Sequence, residues 1–244
     1  MQLAPFGRSA LAHALALPLL ALSACVVTPV DKTTTPSVEG ELGNGTFYFT
    51  CNPSATVCPT AKRSKDASVA LATGGRLRVR FQRTGNQQSS GAPSSVSSTE
   101  YVKAASPETM GKAEDGSFVA LKPGFTTLLA TTSTDEIVDF AVVTIARPAR
   151  LDFTANGSPL GRNARKFTVR KGASANLSAV LYDELDVQLA GDVSYQFGAE
   201  DSKLAKVDLA DERTAEIKGL EAGSTKLIVE GAGMRRELEL EVTP

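Results

Sequence analysis

The sequence predicts an all-β chain, built as two tandem β-sandwich domains behind an export signal and a flexible tether. Three observations carry this. Beyond Gly45, apolar and polar residues alternate at period two, as where Leu77, Val79 and Phe81 interleave with Arg76, Arg78 and Arg80; that is the pattern of strands with one buried face. Gly, Pro, Asn and Asp interrupt these runs at short intervals, and no sustained helical period stands out, as expected of short strands joined by turns. The second half also echoes the first at a period of about 100 residues, the length of one sandwich domain.

Residues 1–24 read as a secretory signal. Arg8 is the only charge before an Ala- and Leu-rich run from Ser9 to Ala24 that ends in small residues. The run is short for a bilayer span, which needs ~20 apolar residues, and Pro18 interrupts it as a helix. Leu22-Ser23-Ala24-Cys25 resembles the lipobox of bacterial lipoproteins. The resemblance implies a diacylglyceryl group on the Cys25 thiol, cleavage before Cys25 and acylation of the new amine. An ordinary signal-peptidase site wants a small residue three before the cut, where Leu22 fits poorly. Each buried CH₂ contributes roughly 0.8 kcal/mol, so two or more chains anchor stably where one does not. Val26, rather than Asp, follows the cysteine; by the same resemblance this favours the outer membrane. Residues 25–42 then read as the lipidated cysteine and its tether, Thr- and Pro-bearing and without apolar period.

Residues 43–147 form the first predicted sandwich. Its strand signals are Thr46 to Thr50, Arg76 to Phe81, Phe118 to Leu121, Thr126 to Ala130 and Val138 to Ile145. Cys51 and Cys58 lie here, either side of the turn-like Asn52-Pro53-Ser54. Export makes a disulfide between them the default, contributing roughly 2–3 kcal/mol in the chain-entropy account; a reduced pair is the alternative. The spacing is not Cys-x-x-Cys, which speaks against redox catalysis.

Residues 148–244 form the second. Eight runs carry strand signals: Arg150 to Thr154, Lys166 to Val169, Ala175 to Tyr182, Val193 to Phe197, Leu204 to Val207, Ala215 to Lys218, Ser224 to Glu230 and Arg236 to Val242. The last is the cleanest, with Leu238, Leu240 and Val242 facing one way and Glu237, Glu239 and Glu241 the other. The repeat shows where Ala120-Leu121-Lys122-Pro123-Gly124 matches Gly219-Leu220-Glu221-Ala222-Gly223. Phe49-Thr50-Cys51-Asn52 likewise parallels Phe153-Thr154-Ala155-Asn156, and Gly75 parallels Gly172. The second half, with Val169-Arg170-Lys171-Gly172, Leu181-Tyr182-Asp183, Asp201-Ser202-Lys203-Leu204-Ala205 and Ala215 to Leu227, resembles a bacterial Ig-like domain of the Big2 type; the first half resembles it loosely. The family's strand-C Trp is missing, with Phe197 nearby. The resemblance implies surface binding or spacing and carries over no catalytic residue.

Candidate chemistry is sparse. The net charge is −1, so no global field points to nucleic acid. Aromatics make up 6% and Trp is absent, leaving few platforms for stacking sugars or bases. The single histidine, His13, falls in the signal, which excludes His-dependent triads and His-containing metal sites from the mature chain. No P-loop, dinucleotide fingerprint or nucleophile elbow is present. Asp115-Gly116-Ser117 matches an aspartic-protease tripeptide only in letters, and it sits in a turn. The acidic groups at 183–186 and 208–212 lack calcium-loop spacing. Arg76, Arg78 and Arg80 place guanidinium groups along one strand face, for anion or partner binding, or else as a solvated face or a guarded sheet edge. Arg162, Arg165, Lys166, Arg170 and Lys171 form a second basic cluster with the same alternatives. The Gly/Ser/Pro-rich segment from Thr84 to Ser98 is either a binding loop or an inter-strand loop without a ligand.

The expectation is a lipid-anchored protein of the bacterial cell envelope, on the outer membrane, acting without enzymatic activity, cofactor or metal. Its role would be adhesion, spacing or assembly. The alternative is a ligand-binding lipoprotein that recognises envelope glycan or a protein partner.

Overall fold

The computed structural model describes residues 37–50, 69–84 and 101–244. Cys25, Cys51 and Cys58, the signal, and the segment from residue 85 to Ser98 lie outside the described residues. Regular structure among the described residues is all strand, as the alternation predicts.

The first sandwich contains β1 (Ser37–Glu39), β2 (Gly45–Thr50), β3 (Leu71–Ala72), β4 (Arg76–Arg83), β5 (Tyr101–Ala104), β6 (Met110–Lys112), β7 (Phe118–Ala120), β8 (Gly124–Thr131) and β9 (Ile137–Ala146). One sheet runs β1-β2-β4-β7-β6 and the other β3-β9-β8-β5. The second contains β10 (Arg150–Ala155), β11 (Ser158–Pro159), β12 (Lys166–Arg170), β13 (Ser174–Tyr182), β14 (Gln196–Ala199), β15 (Ala205–Leu209), β16 (Thr214–Gly219), β17 (Gly223–Gly231) and β18 (Met234–Thr243). Its sheets run β11-β10-β13-β16-β15 and β12-β18-β17-β14. Leaving aside β1 and β11, the two layouts are the same strand for strand. In each, a short early strand joins the last strand in parallel, β3 with β9 and β12 with β18, while the other strand pairs are antiparallel. This is an immunoglobulin-like arrangement in duplicate.

The duplication holds in detail and refines the sequence match. Gly74 (φ +83°) donates its N–H to Ala120 at 2.7 Å, and Gly172 (φ +77°) donates to Gly219 at 2.8 Å. Gly74, not Gly75, is therefore the counterpart of Gly172; both hold a left-handed turn that glycine adopts without steric cost. Phe47 pairs with Phe81, and Phe153 with Ala179. Counted from the matched glycines, these are equivalent positions, so Phe47 rather than Phe49 corresponds to Phe153. The sequence comparison chose a neighbour on the same face because a strand repeats every two residues.

Two other expectations are corrected. The tether was read through residue 42, yet Ser37–Glu39 is a strand on β2, with Val38 buried beneath it. The strand signal from Val193 to Phe197 begins late: β14 starts at Gln196, while Val193 and Tyr195 are buried without joining it. Tyr195 supplies aromatic bulk in a core that has no Trp, tilted against Phe197 with ring centroids 6.3 Å apart.

Each sandwich has its own core. Phe47, Phe49, Leu77, Phe118 and Leu128 belong to one, and Leu151, Phe153, Leu177, Ile217, Leu227 and Leu238 to the other. Burying a side chain of this size contributes roughly 1.5–3 kcal/mol. The cores meet at β3, a strand whose alternation serves both: Leu71 packs into the first core, and Ala70 and Ala72 into the second. β3 is also hydrogen-bonded on both edges. Leu71 and Ala72 pair with Ile145 and Ala146 of β9. On the other side Ala72 donates to the Ala190 carbonyl at 2.9 Å, and Ala190 donates to Ala70 at 2.8 Å. Just beyond, Arg76 and Asp192 exchange two backbone bonds of 2.9 Å.

Candidate functional site

The alternation of β4 sends Leu77 and Phe81 into the core and leaves Arg76, Arg78 and Arg80 exposed on the outer face. Their backbone positions thus recur about every 7 Å, the two-residue repeat of a strand. β4 is the third of five strands. Among the described residues β7 pairs with β4 only at Arg76 and Leu77, so Arg76 has a strand partner on that side and Arg78 and Arg80 pair with β2 alone. The row's cross-strand neighbours are Tyr48 opposite Arg80, Thr50 opposite Arg78 and Val119 opposite Arg76, and Asp192 forms a further antiparallel bridge with Arg76. The Arg80 guanidinium lies 5.3 Å from the centre of the Tyr48 ring, a cation–π contact that steadies it.

The row engages Asp115, whose Oδ2 lies 3.4 Å from Arg78. Ser117 donates to Asp115 from its hydroxyl at 2.6 Å and from its N–H at 3.0 Å. Those two bonds, with Arg78 adding to them, hold the Asp115 pKa down at about 2. The Asp115-Gly116-Ser117 tripeptide is thus a self-capped turn beside the row, with its acid committed to its own loop.

The second sandwich supplies an internal comparison. Ser174, Asn176 and Ser178 occupy the positions of Arg76, Arg78 and Arg80, counted from the matched glycines. Lys218 and Glu216 stand opposite Ser174 and Asn176. Strand, turn and sheet form there without arginine, so the fold does not demand the row.

The opposite sheet of the first sandwich differs from its counterpart as sharply. Phe125, Thr127 and Leu129 of β8 pair across the outer face with Thr144, Val142 and Phe140 of β9. At the equivalent places the second sandwich has Ser224, Lys226 and Ile228 paired with Glu241, Glu239 and Glu237. Phe125 is 73% exposed and Val142 47%.

The remaining sequence candidates do not converge on a site. Arg162 pairs with Asp186 at 2.7 Å and Lys166 with Glu241 at 3.0 Å, so the second basic cluster is divided among separate partners. Asp183 accepts the N–H groups of Leu185 and Val187 in its own loop. Asp186 also meets Arg150, which lies over the Tyr182 ring and bonds Asp152 at 2.8 Å. No group of acidic or other ligating side chains able to hold a metal ion occurs among the described residues, and no helix there is long and apolar enough to cross a membrane.

Sequence reasoning missed Asp139. It is fully buried, and its carboxylate accepts backbone N–H groups from Leu42 (2.8 Å), Asn44 (2.7 Å), Gly45 (3.1 Å) and Phe140 (2.8 Å). It fastens the turn between β1 and β2 to β9.

No family model and no curated protein matches the chain. Among solved structures it is similar to domains 4 and 5 of the S-layer protein SbsC, at 17% identity over 74% of this chain and 97% of that one, with a TM-score of 0.32. It is also similar to the Escherichia coli adhesin FdeC, at 12% identity over 72% of this chain and 62% of that one, with a TM-score of 0.28. Invasin, a bacterial integrin-binding protein, matches at 12% identity over 86% of this chain and 41% of that one, with a TM-score of 0.29. The chain spans less than two thirds of the length of the latter two. Likeness at this level says nothing about function.

Proposed function

We propose that this is a non-enzymatic protein of the bacterial cell envelope, anchored through lipid at Cys25, whose paired sandwiches hold a surface at a fixed distance for adhesion, spacing or assembly. The observation that carries the reading is the joint at β3. A flexible linker lets two domains wander, whereas here one strand lies in both cores and is bonded along both edges. Relative domain motion is the usual expectation unless the shared contact is extensive and apolar. Export and a Cys51–Cys58 disulfide complete the proposal.

Anchoring is tested by membrane fractionation with mass spectrometry of the N-terminal peptide. The expected product begins at Cys25, carries diacylglyceryl and acyl groups, and sediments with membranes; Cys25→Ser releases it. An unmodified chain, cleaved elsewhere and free in the medium, would sink the proposal.

A second reading, recognition of an envelope glycan or protein partner, is favoured by one observation. The arginine row is exposed, and it is replaced by short polar residues in the second sandwich.

A further inference from the structure

We propose that Arg76, Arg78 and Arg80 bind a linear acidic polysaccharide laid along β4. The inference rests on the second reading above and names its ligand class. The row is carried by one strand, with three arginines whose backbone positions step by about 7 Å. That geometry suits a polymer with regularly repeated carboxylate or sulfate groups, each met by a guanidinium fork. The row's strand-paired neighbours are uncharged, Tyr48 and Thr50 on β2 and Val119 on β7, while Asp192 bridges Arg76 at the near end of the row.

A membrane surface is the poorer occupant, because a planar array of headgroups is met by a broad basic patch, not by a single file. A nucleic acid is poorer too. Single strands bind by stacking bases on aromatic faces, and the one aromatic ring beside the row, Tyr48, already lies under Arg80.

The fold does not require the row. Strand β13 folds with Ser174, Asn176 and Ser178 at the same positions, so arginine is not needed for the strand. Three like charges at this spacing repel one another across the intervening solvent; Asp115 pairs with Arg78, Asp192 lies beside Arg76 at a backbone bridge, and Arg80 rests on the Tyr48 ring. A polyanion would relieve all three.

The test uses the full chain and its triple variant Arg76→Ser, Arg78→Asn, Arg80→Ser, which installs what the second sandwich carries and so preserves the strand. Circular dichroism and thermal unfolding verify that both fold alike. Binding is measured against a polyuronate at about 50 mM and about 200 mM salt. Anionic vesicles and a phosphate polymer are assayed in parallel. The expected result is polyuronate binding by the wild type that weakens with salt, and a loss of about tenfold or more in the variant with a flatter salt dependence, as when charged contacts to a polyanion are removed. Equal binding by the two proteins overturns both the inference and the second reading. Wild-type binding to vesicles or phosphate polymer alone, abolished in the variant, overturns the polysaccharide while leaving a ligand-binding row in place. Absence of binding to all three probes also overturns the inference.

Discussion

At the scale of single residues, the strongest local commitment is Asp139. A buried carboxylate that accepts four N–H groups is held by charge-assisted bonds, each stronger than a neutral one. Asp139→Asn keeps the shape but turns a donor toward N–H groups of Leu42, Asn44, Gly45 or Phe140. We expect a loss of about 3 kcal/mol or more in urea unfolding; a loss under about 1 kcal/mol would mean that the turn is held by something else. Gly40 belongs to the same arrangement, since a Cβ there would lie 2.1 Å from the Asp139 carboxyl carbon. Nothing in the sequence marks Asp139, because its partners are backbone groups, which residue letters do not encode. Asp115 makes the second prediction. Its pKa is about 2 against an ordinary 3.8, first through the Ser117 hydroxyl and then through the Ser117 N–H. A carboxylate depressed in the folded state favours folding above its unfolded pKa, and that contribution is lost as pH falls from 3.8 toward 2. Ser117→Ala should move the Asp115 titration, followed by carboxyl NMR, upward toward 3.8; an unmoved midpoint would remove the hydroxyl as the cause.

At the scale of elements, the repeat turns sequence letters into paired predictions. Gly74 and Gly172 have space for a methyl group, with nothing within 4 Å of either Cβ position, but both have φ near +80°. Alanine at either place should cost about 1–2 kcal/mol, from left-handed strain alone. Unequal losses in chemical unfolding would show that the two turns are not equivalent. Val142 makes the opposite case. Its counterpart Glu239 is tolerated on β18, so Val142→Glu should change stability by no more than about 0.5 kcal/mol. A loss above about 1.5 kcal/mol would mean that this face is covered in the folded chain. Long strands with a single buried face are legible from alternation, as β4 and β18 are within a residue or two; β13 is legible as an apolar run, with Ala179, Val180 and Leu181 buried in succession. β3, β5, β6 and β11 are not, because two to four residues hold too little of a period to register. β1 was hidden by lying on Thr- and Pro-bearing sequence, where one buried valine decides the strand. Of the candidate site, the arginines are legible from spacing, but their cross-strand neighbours on β2 and β7 follow from strand order and register, which alternation does not contain.

At the scale of the molecule, everything turns on whether two sandwiches behave as one body. The described residues, 37–50, 69–84 and 101–244, fall in one compact unit, and β3 explains how: its side chains are divided between two cores and its backbone between two partners. Gly191 lets the second sandwich come this close. It has φ +101°, and a Cβ there would sit 2.4 Å from Leu71 Cδ1 and 3.3 Å from the Gly75 Cα. Gly191→Ala therefore adds strain to a left-handed backbone and drives Leu71, a buried member of the first core, away from Ala190, loosening the joint. In scanning calorimetry the wild type should unfold in one transition whose calorimetric and van't Hoff enthalpies agree, the mark of a single cooperative unit. The variant should split into two transitions, each with the smaller enthalpy expected of about half the residues. Two transitions in the wild type would show that the strand is shared without coupling the domains, and the fixed spacing proposed for this protein would then lack its physical basis. One undivided transition in the variant, at an unchanged midpoint, would instead show that the coupling does not pass through the close contact of Gly191 with Leu71.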